Sequence, residues 1–182
     1  MNYLMLASEL HNLFKISLIG LPAVGKTTIL KLLSKNTIDR LYLPTHGFDL
    51  KTVKCDDYIV RIWDFGGQES YLKTYSRDHL LGSDILFIVT DSSPRNVLKS
   101  RELINYATHF IEKDCPIIVL ANKQDLKKND GRMEPTRVED VLHVKTYGLT
   151  AINPNERIKL INIIKKELEK ISIKRRMKEI AF

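Results

Sequence analysis

Apolar residues recur along the chain in short runs of strand length, each followed by a turn signal or by a helical pattern. The runs are FKISLIG (14–20), GFDLKTVKC (47–55), YIVRIWDF (58–65), DILFIVTD (84–91) and CPIIVLAN (115–122). Between the second and third runs stand Asp56 and Asp57, a two-residue break that predicts a hairpin. These runs predict strands that are mostly buried.

Stretches with apolar residues at three- and four-residue steps separate the strands and predict helices. They cover residues 27–34, about 94–112, 138–144 and about 154–178. Alternation of strands and helices predicts an α/β fold, with a mainly parallel sheet covered on both faces. The 47–65 hairpin would add an antiparallel pair at one edge.

Composition is compatible with one globular domain of 182 residues, 43% of them hydrophobic and 28% charged. The net charge of +7 favours an anionic partner, such as a nucleotide, a nucleic acid or acidic lipid. Cys55 and Cys115 are too far apart for a CxxC motif, which indicates a reducing compartment. No apolar run approaches the roughly 20 residues of a membrane span, so we expect a cytoplasmic protein, with peripheral membrane contact left open.

The segment GLPAVGKT (20–27) fits the phosphate-loop pattern G-x-x-x-x-G-K-[ST], between a predicted strand and a helix. In this pattern backbone N–H groups and a helix N-terminus surround phosphate oxygens. Lys26 would bridge the β- and γ-phosphates, Thr27 would bind Mg²⁺, and Thr28 would contact the α-phosphate. The predicted nucleotide contacts of the loop are Gly20, Ala23, Val24, Gly25, Lys26, Thr27 and Thr28. The alternative is an ordinary strand–helix turn with an exposed lysine.

A second polar motif, Asn122-Lys123-Gln124-Asp125, follows the predicted strand 115–121. The Asp125 carboxylate could accept from both N1–H and the exocyclic amine of guanine, a donor pair that adenine lacks. Asn122 could tie the motif to the phosphate loop, and the Lys123 stem could cover the base. Further along, Thr150 and Ala151 would border the base, with the Ala151 N–H facing guanine O6. On its own this motif is a common polar loop; its position after a phosphate loop favours guanine.

A third motif, Asp64-Phe65-Gly66-Gly67-Gln68, ends the second strand of the hairpin. Asp64 would hold Mg²⁺ through water, the Gly67 N–H would meet the γ-phosphate, and Gln68 would orient the attacking water. Thr45 is the candidate for completing the metal shell. The predicted metal ligands are therefore Thr27, Thr45 and Asp64. The alternative is a flexible turn with a capping aspartate.

Together GLPAVGKTTIL, PTHGFDL, WDFGGQES and LANKQDL resemble the Arf and Arf-like branch of the Ras superfamily of small GTPases, over residues 14–172. The resemblance implies a three-layer P-loop GTPase fold with a six-stranded, mostly parallel sheet, one antiparallel edge strand and about five helices. It also implies a GTP/GDP cycle and movement of the 47–65 hairpin. Pro22, His46 and Asp78 depart from the family pattern. Pro22 is expected to alter the hydrolysis rate rather than nucleotide binding.

The expected activity is attack of water on the GTP γ-phosphate, with Gln68 and Lys26 as catalytic residues and GTP/GDP and Mg²⁺ as ligands. No arginine finger is evident in the chain, so slow hydrolysis and dependence on an activating protein are expected. Further partners would be an exchange protein and a GTP-state effector. One alternative is a scaffold that holds GTP constitutively. A nucleic-acid-associated GTPase is not expected, because no appended binding domain is present.

Both ends suggest contact with other surfaces, and we divide the chain into an N-terminal amphipathic segment (1–13), a G domain (14–174) and a basic tail (175–182). The resemblance suggests that residues 2–14 form a helix released to membranes with GTP; permanent packing on the hairpin is equally open. Seven basic residues between Lys165 and Lys178 could bind anionic lipid or nucleic acid. The alternative there is a solvated helix face.

Overall fold

The computed structural model describes residues 12–34, 48–66, 77 and 80–180. The predictions made for residues 1–11, Thr45, His46, Gly67, Gln68 and Asp78 lie outside these ranges.

Six strands form one sheet in the order β2-β3-β1-β4-β5-β6. The strands are β1 (Leu13–Ile19), β2 (Phe48–Cys55), β3 (Tyr58–Phe65), β4 (Ile85–Thr90), β5 (Ile117–Ala121) and β6 (Thr146–Gly148). Every neighbouring pair is parallel except β2 and β3, which pair antiparallel at one edge. Cys55 faces Tyr58 across this hairpin, with Asp56 in the left-handed region at φ 53°. The predicted mostly parallel sheet with one antiparallel edge strand is confirmed.

Five helices and one short 3₁₀ turn lie wholly within the described ranges. They are α1 (Lys26–Ser34), α2 (Pro94–Ala107), the 3₁₀ turn (Gln124–Leu126), α3 (Lys127–Asp130), α4 (Pro135–Leu142) and α5 (Glu156–Ile180). Helix α4 begins at Pro135, three residues before the predicted start, because proline suits the first helical turn. Helix α5 continues past residue 174, so the described part of the predicted basic tail is helical.

Helix α2 ends at Ala107, and its predicted extension to Glu112 was wrong. The Thr108 hydroxyl donates to the Asn105 carbonyl at 2.7 Å, and the His109 ring nitrogen lies 2.8 Å from the same oxygen. Polar side chains thus satisfy a carbonyl that continued helix would have used. Phe110 and Ile111, which suggested continued helical spacing, pack against the core from outside the helix.

The core lies in two layers, one on each face of the sheet. One layer joins the sheet to α1 and α5, and the other joins it to α2 and α4. Strand β4 is buried at every position, with Phe87 in the first layer and Leu86 and Ile88 in the second. Burial on both faces explains its uninterrupted apolar sequence. The carboxyl ends of the parallel strands lie together at one end of the sheet, where ligands of such folds bind.

Candidate functional site

The phosphate loop connects β1 to α1, and both of its glycines stand where a side chain would not fit. A Cβ on Gly20 would lie 2.3 Å from the Val89 carbonyl oxygen of β4. A Cβ on Gly25 would lie 2.2 Å from the Asn122 Nδ2, and Gly25 has φ +102°, a conformation that L side chains rarely adopt. Ala23 at the loop tip also has a positive φ of 61°. The loop is thus a tight backbone cradle packed against β4 and β5.

Lys26 lies across this cradle rather than in solvent, with 6% of its surface exposed. Its ammonium donates to the carbonyls of Gly20 at 2.9 Å and Leu21 at 3.0 Å. Burial lowers the pKa of Lys26 to about 8, although the nearby Asp64 carboxylate favours the charged form. An anionic ligand in the cradle would favour the charged form further. Lys26 is therefore not the exposed lysine of an ordinary strand–helix turn, which was the alternative interpretation of the motif.

Thr27 and Asp64, two of the predicted Mg²⁺ ligands, meet beside the cradle. The Thr27 hydroxyl donates to Asp64 Oδ2 at 2.6 Å. Burial raises the pKa of Asp64 to about 6, while the Thr27 hydrogen bond and the Lys26 charge act in the opposite direction. The second carboxylate oxygen, Oδ1, is buried and has no hydrogen-bond partner among the described residues. An unsatisfied buried carboxylate oxygen beside a hydroxyl is a donor set that fits Mg²⁺.

Asn122, at the end of β5, joins the phosphate loop to the segment after β6. Its Nδ2 donates to the Val24 carbonyl at 3.0 Å, and its Oδ1 accepts from the Ala151 N–H at 2.9 Å. The predicted hydrogen-bonded link between the Asn122 motif and the phosphate loop is therefore present. The Ala151 N–H is used by Asn122, so its contact with guanine O6 stays a prediction. Thr28 and Thr150, the other predicted contacts of these segments, are half-buried.

Lys123 and Asp125 present their side chains differently. Lys123 has a left-handed backbone (φ 62°), and its ammonium donates to the Ala23 carbonyl at 2.7 Å, which forms a second link to the phosphate loop. Asp125, in the 3₁₀ turn, is exposed and makes no hydrogen bond or ion pair within the described ranges. The carboxylate predicted to bind the base is thus free to accept from a ligand.

Sequence reasoning missed the polar residues that follow β4. The buried Ser92 hydroxyl donates to the Asn122 carbonyl at 2.7 Å and accepts from Gln124 Nε2 at 2.8 Å. Asp91 forms an ion pair with Arg132 at 2.8 Å and lies 4.0 Å from the Lys123 ammonium. The available signal was the polar run Thr-Asp-Ser-Ser at the carboxyl end of a central buried strand.

Comparison with known proteins gives a consistent picture. The model of the ADP-ribosylation factor family matches residues 2–180. ADP-ribosylation factor-like protein 2 of Drosophila melanogaster is 37% identical over 133 residues, which are 72% of this chain and 70% of the relative. ADP-ribosylation factor-like protein 3 of Chlamydomonas reinhardtii is 38% identical over 116 residues, which are 62% of this chain and 63% of the relative.

Proposed function

Because the chain belongs to the ADP-ribosylation factor family, and is therefore a small GTPase of the regulatory type, we propose that it cycles between GDP and GTP states. The nucleotide would bind at the carboxyl ends of the parallel strands. In this proposal the GTP state binds an effector, and slow hydrolysis returns the protein to the GDP state.

The observation that carries the proposal is the pair of bonds made by Asn122. One buried side chain contacts both the Val24 carbonyl of the phosphate loop and the Ala151 N–H beyond β6. The segments proposed to hold the phosphates and the base are thereby fixed relative to one another. Such a fixed arrangement supports one ligand that has both a base and a polyphosphate.

Guanine is the proposed base because Asp125 presents a free, exposed carboxylate next to the Lys123 bridge. A carboxylate accepts two hydrogen bonds side by side, which matches the N1–H and exocyclic amine of guanine. Adenine offers an acceptor at N1 and would be repelled there. Thr150 and Ala151 would border the base near guanine O6.

The phosphate end of the site supports hydrolysis. Lys26 is held in place by the Gly20 and Leu21 carbonyls, from which it can turn to the β- and γ-phosphate oxygens. Thr27 and Asp64, with Thr45, would hold Mg²⁺, which would neutralise charge on those oxygens. The N–H of Gly67 would meet the γ-phosphate, and Gln68 would orient the attacking water. An arginine finger supplied by an activating protein would accelerate the step.

A Gln68→Leu variant tests the switch. Because leucine cannot orient water, we expect intrinsic GTP hydrolysis in single-turnover assays to slow by at least about tenfold. GDP affinity should be unchanged, since Gln68 would contact only the hydrolytic water. Unchanged hydrolysis in this variant would contradict the switch and favour the constitutively GTP-bound scaffold.

We also propose a cytoplasmic location with reversible membrane contact through residues 1–14 or the basic end of α5. In the described part of the chain, no helix is long and apolar enough to cross a bilayer. Ile173 and Met177 on α5 are 54% and 66% exposed, beside the exposed Lys174 and Arg176, which suits an anionic surface.

Co-sedimentation with phosphatidylserine vesicles tests this contact. GTP-dependent binding supports the N-terminal segment, and binding lost in a Lys174→Ala/Arg176→Ala variant supports α5. No co-sedimentation in either nucleotide state contradicts both.

A further inference from the structure

Arg132 lies between α3 and α4, outside every motif considered so far, yet it reaches the end of β4 beside the proposed base site. Its guanidinium forms an ion pair with Asp91 Oδ2 at 2.8 Å and donates to the Asp91 backbone carbonyl at 3.1 Å. Its side chain is 15% exposed and that of Asp91 is 12% exposed. The pair is therefore largely withdrawn from solvent, where a charged contact is stronger than at the surface.

The Asp91 carboxylate is shared among several donors. Its Oδ1 accepts from the N–H of Ser93 at 3.1 Å and from the Ser93 hydroxyl at 2.8 Å. Its Oδ2 faces two cations, the Arg132 guanidinium at 2.8 Å and the Lys123 ammonium at 4.0 Å. Arg132 is thus the cation in direct contact, and Lys123 is held at a distance.

Lys123 has another partner within reach. Its ammonium donates to the Ala23 carbonyl at 2.7 Å and so bridges the proposed base-binding segment to the tip of the phosphate loop. If Arg132 were removed, Asp91 would keep a largely buried negative charge with Lys123 as the nearest cation. Asp91 would keep its hydrogen bonds from Ser93 and Asn96 but would have no cation in contact. Because a largely buried carboxylate without a contacting cation is costly, the ammonium would move the short distance to Asp91 and leave Ala23.

We propose that Arg132 is a positioning residue for nucleotide binding, which neutralises Asp91 and so keeps Lys123 on the phosphate loop, with its stem over the base. This inference rests on the proposed function, since it concerns the same guanine nucleotide. It assigns a role in affinity to a residue that acts through Lys123.

A simpler role for Arg132 would be to anchor its own segment. The neighbouring Met133 N–H donates to the Ser92 carbonyl at 2.7 Å, and the Met133 carbonyl accepts from Gln124 Nε2 at 3.2 Å. Loss of a mere anchor would loosen these contacts regardless of the charge on Asp91. The two roles therefore predict different results when that charge is removed as well.

The test measures the release rate of methylanthraniloyl-GDP from the full chain in Mg²⁺. We expect Arg132→Ala to accelerate release by about fivefold to tenfold, the size of one lost hydrogen bond of typical net strength. In an Arg132→Ala/Asp91→Asn variant, release should return to within about twofold of the unmodified protein. Asparagine keeps the oxygen that accepts from Ser93 but cannot capture Lys123. A double variant that releases as fast as Arg132→Ala would overturn the proposal in favour of the anchor.

A second arm uses Lys123→Ala as the background. If Arg132 acts through Lys123, adding Arg132→Ala to this background should accelerate release by less than about twofold, because the two effects are coupled. The full fivefold to tenfold acceleration there would contradict the proposal. Arg132→Met keeps most of the stem and replaces Arg132→Ala in both arms if the alanine variant does not fold.

Failure of the inference can be told from failure of the proposed function. If the unmodified chain binds methylanthraniloyl-GDP and Arg132→Ala releases it at the same rate, only the role of Arg132 is overturned. If the unmodified, folded chain does not bind the nucleotide, both proposals are overturned.

Discussion

Gly25 is constrained both by its own backbone and by a neighbouring side chain. Its φ of +102° strains any L residue, and a Cβ there would collide with Asn122 Nδ2 at 2.2 Å. In Gly25→Ala, Asn122 would have to leave the Val24 carbonyl, which breaks the link between phosphate loop and base segment. We expect GDP affinity measured by titration calorimetry to fall by at least about 100-fold.

Gly82→Ala is the matched control for this variant. Gly82 also has a positive φ, +70°, but a Cβ there would meet nothing within 4 Å. The Gly82→Ala variant should therefore lose about 1 kcal/mol in its free energy of unfolding from backbone strain and keep its GDP affinity. Equal loss of affinity in the two variants would show that strain, rather than the collision with Asn122, accounts for the effect.

Individual site residues could be predicted from the sequence only where they stand in a compact local motif. Lys26, Thr27 and Asp64 could be predicted to lie together because each stands in a compact motif beside the carboxyl end of a strand. Asp91 and Arg132 are 41 positions apart and belong to no motif, so their contact depends on a loop path that periodicity does not encode. The lowered pKa of Lys26 likewise depends on burial by several segments.

At the scale of elements, the buried Glu167 connects α5 to the segment before β6. Glu167 is 5% exposed and forms ion pairs with Lys145 at 2.6 Å and Lys170 at 3.0 Å. Burial alone would raise the pKa of Glu167, but hydrogen bonds from both lysines outweigh it and lower the pKa below the usual 4.5. At pH values above 4.5 the ionised carboxylate therefore stabilises the fold. This contribution is lost as pH falls through the lowered pKa.

A Glu167→Gln variant measures this contribution. At pH 7 we expect it to lower the free energy of unfolding, from urea denaturation, by about 1–3 kcal/mol, because it removes charged hydrogen bonds from a buried site. The difference from the unmodified protein should shrink as both are taken below pH 4.5. Glu169→Gln, at an exposed position on the same helix, should differ little at either pH. A pH-independent loss in Glu167→Gln would indicate a packing effect and contradict the assignment.

Element boundaries were less predictable than the elements themselves. The 3.6-residue spacing identified α2, yet its end is determined by the hydroxyl of Thr108 and the ring of His109. Helix α4 ends where His143 adopts a left-handed backbone at φ 54°, a conformation that hydrophobic spacing does not signal. Side-chain capping and backbone reversal are local choices among polar residues, which is why periodicity places an element better than it places its ends.

For the whole molecule, the order of strands and helices along the chain was enough to predict the layered α/β fold. Parallel strands joined by right-handed crossovers place all their carboxyl ends at one edge, so motifs that follow strands must converge there. Phosphate loop, Asp64 and Asn122 indeed meet at that edge. The predicted division at residues 13 and 174 stays a prediction, although α5 is one continuous helix across the second boundary.

The carboxyl ends of the parallel strands are proposed to bind guanine nucleotide in preference to adenine nucleotide. Titration calorimetry of the nucleotide-free full chain with GDP and with ADP, both in Mg²⁺, tests that claim most directly. We expect GDP to bind with a dissociation constant on the order of 1 µM or below and ADP at least about 100-fold more weakly. Equal affinity for the two nucleotides, or binding of neither by the folded protein, would contradict it.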